Sequence, residues 1–185
     1  MTAYFKRQLV DYVEYHRDPK NCAMHVVGII FLFLAAFLPL TQWSTLLFGV
    51  RISLAAILVL PVLIYWLVLD ISLGLAIVGA TILLLATAAL IADHVSVVWV
   101  WIMSAGLITL GVASQIVGHR VFERRQPALV DNPAHLLLGP MFLMTKLFVL
   151  FGFRQDLAAI IGPGGHHPPV DASTYRARSE PNARS

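Results

Sequence analysis

The sequence has little charge and almost no cysteine. Only 12% of its 185 residues are charged, against roughly a quarter in an average soluble domain. A further 58% are apolar and fall in long runs, an excess that a soluble core cannot bury. Cys22 is the single cysteine, which excludes an internal disulfide, a cysteine-type zinc site and an iron–sulfur cluster. The composition therefore predicts an integral membrane protein.

Several common catalytic motifs are also absent. The chain has no phosphate-binding loop, no nucleophile elbow and no zinc-protease HExxH. It also lacks the HxxxH and HxxHH boxes of two-iron membrane desaturases, so any metal is expected to be a single ion. Asp11, Glu14 and Asp18 interrupt the first twenty residues, and we expect no cleavable signal peptide. The basic residues lie beside apolar runs, as topology signals do, so we expect membrane lipids and no nucleic acid as partners.

Four apolar runs are long enough for membrane-spanning helices. They cover residues 19–40, 52–69, 71–92 and 95–118, and a span needs about 20 such residues. Before them, residues 3–16 place apolar side chains at helical spacing, which predicts an amphipathic helix on the membrane surface. The connections around Asp70 and Asp93-His94 are very short. The sequence therefore predicts an all-α membrane protein with four transmembrane helices in an antiparallel bundle.

A fifth apolar run, residues 134–153, differs from the other four. Gly139-Pro140 interrupts it, and Lys146 would lie near the bilayer centre, where a charge is costly. We therefore predict a re-entrant or interfacial helix. The predicted organisation is a surface helix (1–18), a four-helix bundle (19–125), the re-entrant segment (126–153) and a disordered cytoplasmic tail (154–185).

The basic residues predict the orientation. With four crossings, the amino-terminal segment and the segment after the fourth span lie on one side, and both are rich in Lys and Arg. The positive-inside rule makes that side cytoplasmic. We expect both termini in the cytoplasm and the chain in a bacterial inner membrane; the sequence is also compatible with a homo-oligomer.

Three histidines gather at this cytoplasmic edge. His16 ends the surface helix, His25 lies in the first turns of the first span, and His119 lies at the end of the fourth. His135 opens the fifth run and can reach the same layer, whereas His94 is in an outer loop. Imidazoles combined with an oxygen ligand and an open position suit non-haem iron(II) or zinc. We predict that the first three histidines and His135 bind one metal; an interfacial polar residue is the alternative for each.

Other polar residues lie at helical spacing from these histidines. Asn21 precedes His25 by four residues, and Gln115 and Glu123 flank His119 at the same spacing. Two such polar rows facing each other at one end of a bundle could supply oxygen ligands and hydrogen bonds to the ligands. We therefore expect these three residues near the metal or the substrate.

Two further candidates have ordinary alternatives. Asp70 could supply a carboxylate, although such a residue more often caps a loop. Arg124 could hold a lipid carboxylate or phosphate, or it could belong to a solvated charged helix end. His166-His167 lie between Gly-Gly and Pro-Pro in the tail, and we do not expect them in the site.

The sequence resembles a family of small membrane proteins of bacteria and eukaryotes. The resemblance is carried by residues 15–28 (YHRDPKNCAMHVVG), by 115–119 (QIVGH) with Phe122-Glu123, and by Pro127-Ala128-Leu129; it covers most of residues 4–150. Characterised fungal members are 2-hydroxy fatty acid dioxygenases, which act in the conversion of phytosphingosine to odd-numbered fatty acids. The resemblance implies an iron(II)-dependent alpha-oxidation, in which dioxygen removes one carbon from a 2-hydroxy acid. It also implies catalytic roles for His16, His25 and His119.

Two other functions stay open at the level of sequence. The chain could be a b-type haem protein with two histidines as axial ligands, or a non-enzymatic lipid-binding or scaffold protein. A haem pair would be expected inside the bundle core. The predicted position at the rim suits a lipid whose acid group stays at the interface.

Overall fold

The computed structural model of the protein describes residues 1–124 and 135–162. These residues are mostly helical, with one short hairpin. In chain order the elements are α1 (Ala3–Glu14), α2 (Pro19–Leu40), β1 (Ser44–Leu47), β2 (Val50–Ser53), α3 (Leu54–Leu69), α4 (Ile71–His94), α5 (Val97–Val117), a π-helix (Gly118–Glu123), α6 (His135–Leu150) and α7 (Gln155–Ile161).

Within residues 1–124 and 135–162, three helices are long and apolar enough to cross a membrane: α2, α4, and α5 together with the π-helix. The helices α6 and α7 meet at a bend of 117°, as in a broken span or a re-entrant loop, and would make a fourth span if counted as one. The predicted second span is shorter than expected, because α3 has 16 residues. Its first predicted residues, Ile52 and Ser53, belong to β2 instead.

Local sequence signals explain where the helices begin. Asp18 accepts hydrogen bonds from the backbone N–H groups of Lys20 (2.7 Å) and Asn21 (3.3 Å), and Pro19 occupies the first helical position of α2. Asp70 alone separates α3 from α4, and its side chain caps α4. The two helices therefore turn back on each other with almost no loop.

The hairpin β1–β2 was not predicted. Phe48 and Gly49 form its turn, and both have positive φ angles, 50° and 79°, as the two central residues of a type I′ turn require. In the sequence, this hairpin is indicated by a glycine between two short runs that contain β-branched residues. Phe48 is fully exposed. The hairpin follows the carboxyl end of α2, so it lies at the end of the packed helices opposite the amino end of α2.

The helices α2 and α5 form the central pair. A Cβ added to Gly28 would lie 3.0 Å from the carbonyl oxygen of Gly111, and one added to Gly111 would lie 3.2 Å from that of Gly28. Small residues at such a crossing let two backbones approach closely within a membrane. Further along the same interface, Ser104 Oγ donates to the carbonyl of Ala35 at 2.6 Å. This pairing sets His25 beside His119.

The surface helix α1 is part of the folded core. Its apolar face packs against α6 and α7. The prediction of a disordered tail is wrong for residues 155–161, because these residues form α7. Residues 163–185 lie outside the described part of the chain, and so do residues 125–134 between the π-helix and α6. The buried apolar residues at this junction are Phe5, Leu9, Tyr12, Leu138, Met141, Phe142, Leu157 and Ile160.

Candidate metal centre

Three histidine side chains converge at the amino end of α2. His16 lies in the loop between α1 and α2, His25 in α2, and His119 in the π-helix. One ring nitrogen of each lies within 4.8 Å of those of the other two, and all three residues are buried. Among the described residues, this is the one group of three or more His, Cys, Asp or Glu side chains close enough to hold a metal ion.

The spacing of two of these nitrogens fits a shared ion. The Nε2 atoms of His16 and His25 lie 3.3 Å apart. Two nitrogens each bound at about 2.1 Å to one ion, in tetrahedral or octahedral geometry, are roughly 3.0–3.4 Å apart. His16 and His25 therefore have the spacing of two ligands of one ion, and His119 lies close enough that the three could hold a metal together.

His16 is held in the tautomer whose Nε2 can bind a metal ion. Its Nδ1 lies 2.9 Å from the carbonyl oxygen of Tyr12, so Nδ1–H donates and Nε2 keeps its lone pair. The Tyr12 ring stacks on the imidazole, with centroids 4.1 Å apart. Burial is the main cause that lowers the pKa of His16 to about 3, the charges of His119, His135 and Lys146 lower it further, and the hydrogen bond to Tyr12 opposes them. The ring is therefore neutral at physiological pH, as metal binding requires.

His119 has an unsatisfied buried nitrogen. Its Nδ1 is buried and has no hydrogen-bond partner among the described residues, a costly arrangement unless another group binds there. The residue lies in a π-helix, a departure from α-helical geometry that is frequent at functional sites. The adjacent Gly118 is packed against Asn21 Oδ1, which leaves no space for a side chain at position 118.

The predicted polar rows hold the histidine-bearing elements together. Glu123 Oε1 accepts hydrogen bonds from the backbone N–H of Asp18 (2.7 Å) and from Asn21 Nδ2 (3.2 Å). Gln115 Nε2 donates to the carbonyl of His25 at 3.3 Å. The contacts of Asn21 and Glu123 tie the π-helix to the start of α2, immediately after His16.

His135 lies near the three histidines but outside their group. Its Nε2 is 3.0 Å from Asp11 Oδ2, and its ring makes edge contacts with those of Tyr12 and Tyr15. The sequence suggested no role for Asp11 or Tyr12, because both fit the polar and apolar faces of an ordinary amphipathic helix. Only the packing of α1 on α6 brings them to His135.

Asp70 has a structural position away from the cluster. Both of its carboxylate oxygens lie 2.9 Å from Arg154 Nη1, and Oδ2 lies 3.3 Å from the amino-terminal nitrogen of Met1. Its Oδ1 also caps α4 by accepting from the backbone N–H of Leu73. The residue therefore joins α4, α7 and the amino terminus.

The remaining candidates lie outside the cluster. Arg124 is exposed and ends the π-helix with a positive φ angle of 54°. His94 is exposed at the hairpin end of α4, where its Nδ1 contacts the carbonyl of Leu90. Lys146 Nζ lies 2.8 Å from Cys22 Sγ, so its charge lies beside the first turns of α2. His166-His167 lie outside the described residues.

An apolar cavity of about 570 Å³ opens from the histidines into the bundle, within the usual size range of small-molecule sites. Its polar end is formed by the three histidines together with Gln115, His135 and Tyr12. The other walls come from apolar residues of α2, α3, α5 and α6: Ile29, Leu32, Phe33, Val59, Val62, Val112, Ile116, Leu136, Leu137, Gly139 and Pro140. The cavity can therefore take a molecule with one polar end and an apolar tail.

The chain also matches known proteins over most of its length. The family described as "2-hydroxy-palmitic acid dioxygenase Mpo1-like" matches residues 2–151. A curated relative, the 2-hydroxy-palmitic acid dioxygenase MPO1 of Saccharomyces cerevisiae, is 35% identical over 163 residues, which are 84% of this chain and 86% of the yeast protein. No solved structure matches the chain. The match over residues 2–151, which contain all three histidines of the cluster, shows that the chain belongs to the Mpo1-like family of 2-hydroxy-palmitic acid dioxygenases.

Proposed function

We propose that this protein is an iron(II)-dependent dioxygenase that shortens 2-hydroxy fatty acids by one carbon. The observation that carries the proposal is the position of three buried histidines at the polar end of an apolar cavity. Family membership supports the reaction class, because the yeast relative is named as a 2-hydroxy-palmitic acid dioxygenase.

His16, His25 and His119 would hold the metal. Three imidazoles leave coordination positions for other ligands, as non-haem iron enzymes that use dioxygen require. Bound iron would supply the site that activates dioxygen and orients the substrate. A haem held by His16 and His25 fits less well, because their Nε2 atoms, 3.3 Å apart, leave no room for a macrocycle between them.

The cavity favours a long-chain substrate with its acid group at the histidines. The carboxylate and the 2-hydroxyl group would lie at the polar end, and the hydrocarbon tail would contact Ile29, Phe33 and Val59. Burial of the tail would fix the depth of the polar groups, so that the carbon to be oxidised is held near the metal.

The electron count favours an acid as the product. Conversion of R–CH(OH)–COOH to R–COOH and carbon dioxide removes four electrons, and dioxygen accepts four when it is fully reduced. The balanced reaction is R–CH(OH)–COOH + O₂ → R–COOH + CO₂ + H₂O, which needs no external reductant. An aldehyde product would use only two electrons and leave hydrogen peroxide.

The orientation stays a prediction from the basic residues. We propose that the histidine cluster and the amino terminus face the cytoplasm, because Lys6, Arg7, Arg17 and Lys20 lie at this end of the bundle. A topology reporter fused at the amino terminus should behave as cytoplasmic. A periplasmic or lumenal signal would contradict this orientation.

The reaction can be tested with purified protein in detergent, loaded anaerobically with iron(II). Addition of oxygen and 2-hydroxypalmitic acid should give pentadecanoic acid, one molecule for each dioxygen consumed and without hydrogen peroxide. Palmitic acid, which lacks the hydroxyl group, and chelator-treated protein are the controls. Saturable binding of 2-hydroxypalmitic acid without oxygen-dependent loss would support the lipid-binding function instead.

A further inference from the structure

Asp11 and His135 form a pair that the proposed metal site does not use. The two side chains lie 3.0 Å apart. That of His135 is 1% exposed, whereas that of Asp11 is 48% exposed. His135 also lines the cavity, so the pair extends from the cavity to the protein surface.

The position of His135 does not suit a metal ligand in this structure. It is absent from the group whose ring nitrogens approach within 4.8 Å. Its Nε2 lies 3.0 Å from Asp11 Oδ2, and the ring contacts Tyr12 and Tyr15 edge-on, at centroid distances of 5.3 Å and 5.7 Å. These contacts hold the imidazole in place, with a carboxylate beside its Nε2.

The proposed reaction needs a proton acceptor near the substrate. Both hydrogen atoms of the water product come from the substrate, one from carbon 2 and one from the 2-hydroxyl group. The cavity residue Gln115 is not a base, and burial raises the pKa of Tyr12, so that its phenol stays protonated. With three histidines assigned to the metal, His135 is the remaining base among the described residues that line the cavity.

We propose that His135, oriented by Asp11, accepts the proton of the substrate's 2-hydroxyl group. The proposal rests on the dioxygenase function given above. The O–H bond breaks, the proton goes to the imidazole of His135, and the electron pair stays on the substrate oxygen. The carboxylate of Asp11, 3.0 Å from Nε2, stabilises the imidazolium by its negative charge. The proton is later returned to the oxygen atom that leaves as water, so the step balances over one turnover.

The test compares His135→Gln and Asp11→Asn with His94→Gln and Asp93→Asn. The last two replace the same residue types on the exposed end of α4, near the hairpin. General acid–base catalysis contributes about 10²–10⁴-fold. We expect kcat to fall about 100-fold in His135→Gln and about 10-fold in Asp11→Asn, with KM changed less than about threefold. Both proteins should bind as much iron as the wild type, and the controls should match the wild type.

A second measurement separates proton transfer from a structural role. His135→Ala removes the ring, and added imidazole should restore a saturable part of the lost kcat if the ring transfers a proton. Loss of iron from His135→Gln would identify His135 as a ligand and overturn the proposal. An unchanged kcat, or no rescue by imidazole in protein that retains iron, would also overturn it. If wild-type protein does not convert 2-hydroxy acids, the dioxygenase function itself fails, which is a distinguishable result.

Discussion

The two ends of the packed helices both contain histidine and carboxylate side chains, but only one end buries its histidines. At the histidine end, which we define by His16, His25 and His119, the imidazoles are buried and contact residues of other elements. At the hairpin end, Asp93 and His94 are exposed, and the His94 ring contacts the backbone of its own helix. Residue type alone therefore does not identify a site; burial and contacts between elements do.

The difference extends to the structure around each end. At the histidine end, hydrogen bonds of Glu123, Gln115 and Asp70 join segments that are far apart in sequence. At the hairpin end, β1 and β2 pair with each other, and Phe48 is fully exposed. A perturbation at the histidine end should therefore affect both the site and stability, and one at an exposed residue of the hairpin end should affect neither strongly.

The largest expected effect, on bound iron and on activity, comes from removing a metal ligand. His25→Ala or His119→Ala should reduce bound iron below half of the wild-type stoichiometry and lower activity by more than about 100-fold, since even residues that only support ligands contribute about 10- to 100-fold. Elemental analysis and product formation by mass spectrometry measure the two effects. His94→Ala is the matched control; a similar loss there would break the contrast between the two ends.

The next effect concerns Glu123, which ties the π-helix to α2. Glu123→Ala removes the acceptor for Asp18 N–H and Asn21 Nδ2, so we expect iron affinity to fall about 10-fold through misplacement of His119. Glu123→Gln keeps an oxygen acceptor and should recover most of that affinity. Equal iron affinity in wild type and Glu123→Ala, measured by competition with a chelator, would show that these hydrogen bonds do not position the site.

A smaller effect, on stability, is expected at Asp70. Burial would raise the pKa of Asp70, but hydrogen bonds from Leu73 N–H and Arg154 and the charge of Arg154 together lower it below its usual range. Asp70→Asn should cost about 1–3 kcal/mol near pH 7, because it weakens a buried hydrogen-bonded group. A carboxylate with a lowered folded-state pKa stabilises above its unfolded pKa of about 3.9 and loses that contribution as pH falls.

Thermal unfolding in detergent tests this dependence. The difference in melting temperature between wild type and Asp70→Asn should be constant from pH 5 to pH 8 and should shrink below about pH 4. Asp93→Asn, at the hairpin end, should show little difference at any pH. A difference for Asp70→Asn that grows as pH falls would contradict the assigned direction of the pKa.

The smallest expected effect, on stability, comes from glycine substitutions in α2 and α5. A Cβ at Gly28 would lie 2.5 Å from Gln115 Nε2 and 3.0 Å from a backbone oxygen, whereas one at Gly106 would meet nothing within 4 Å. Gly28→Ala should destabilise the protein by about 1–2 kcal/mol through overpacking, and Gly106→Ala by less than about 0.5 kcal/mol. Equal melting temperatures for both variants would show that α2 and α5 can move apart without loss of stability.

Part of the fold could be predicted because its signals are local. Apolar runs predicted the helices now seen as α2, α4 and α5, and Asp18-Pro19 predicted the start of α2. The hairpin, the shortened α3 and α7 were missed or misassigned. A hairpin turn with Phe48 at positive φ has a weak sequence signal, and α7 is stabilised by burying Leu157 and Ile160 against elements distant in the chain.

The sequence by itself determined that the chain is rich in membrane-length apolar helices and that three histidines share one end of these helices, because helical periodicity and span length are local properties. Only the tertiary structure decided that His16 and His25 face each other, that His135 pairs with Asp11, and that Asp70 lies outside the cluster. These outcomes depend on how α1, α6 and α7 pack, which is set by contacts between residues far apart in the chain.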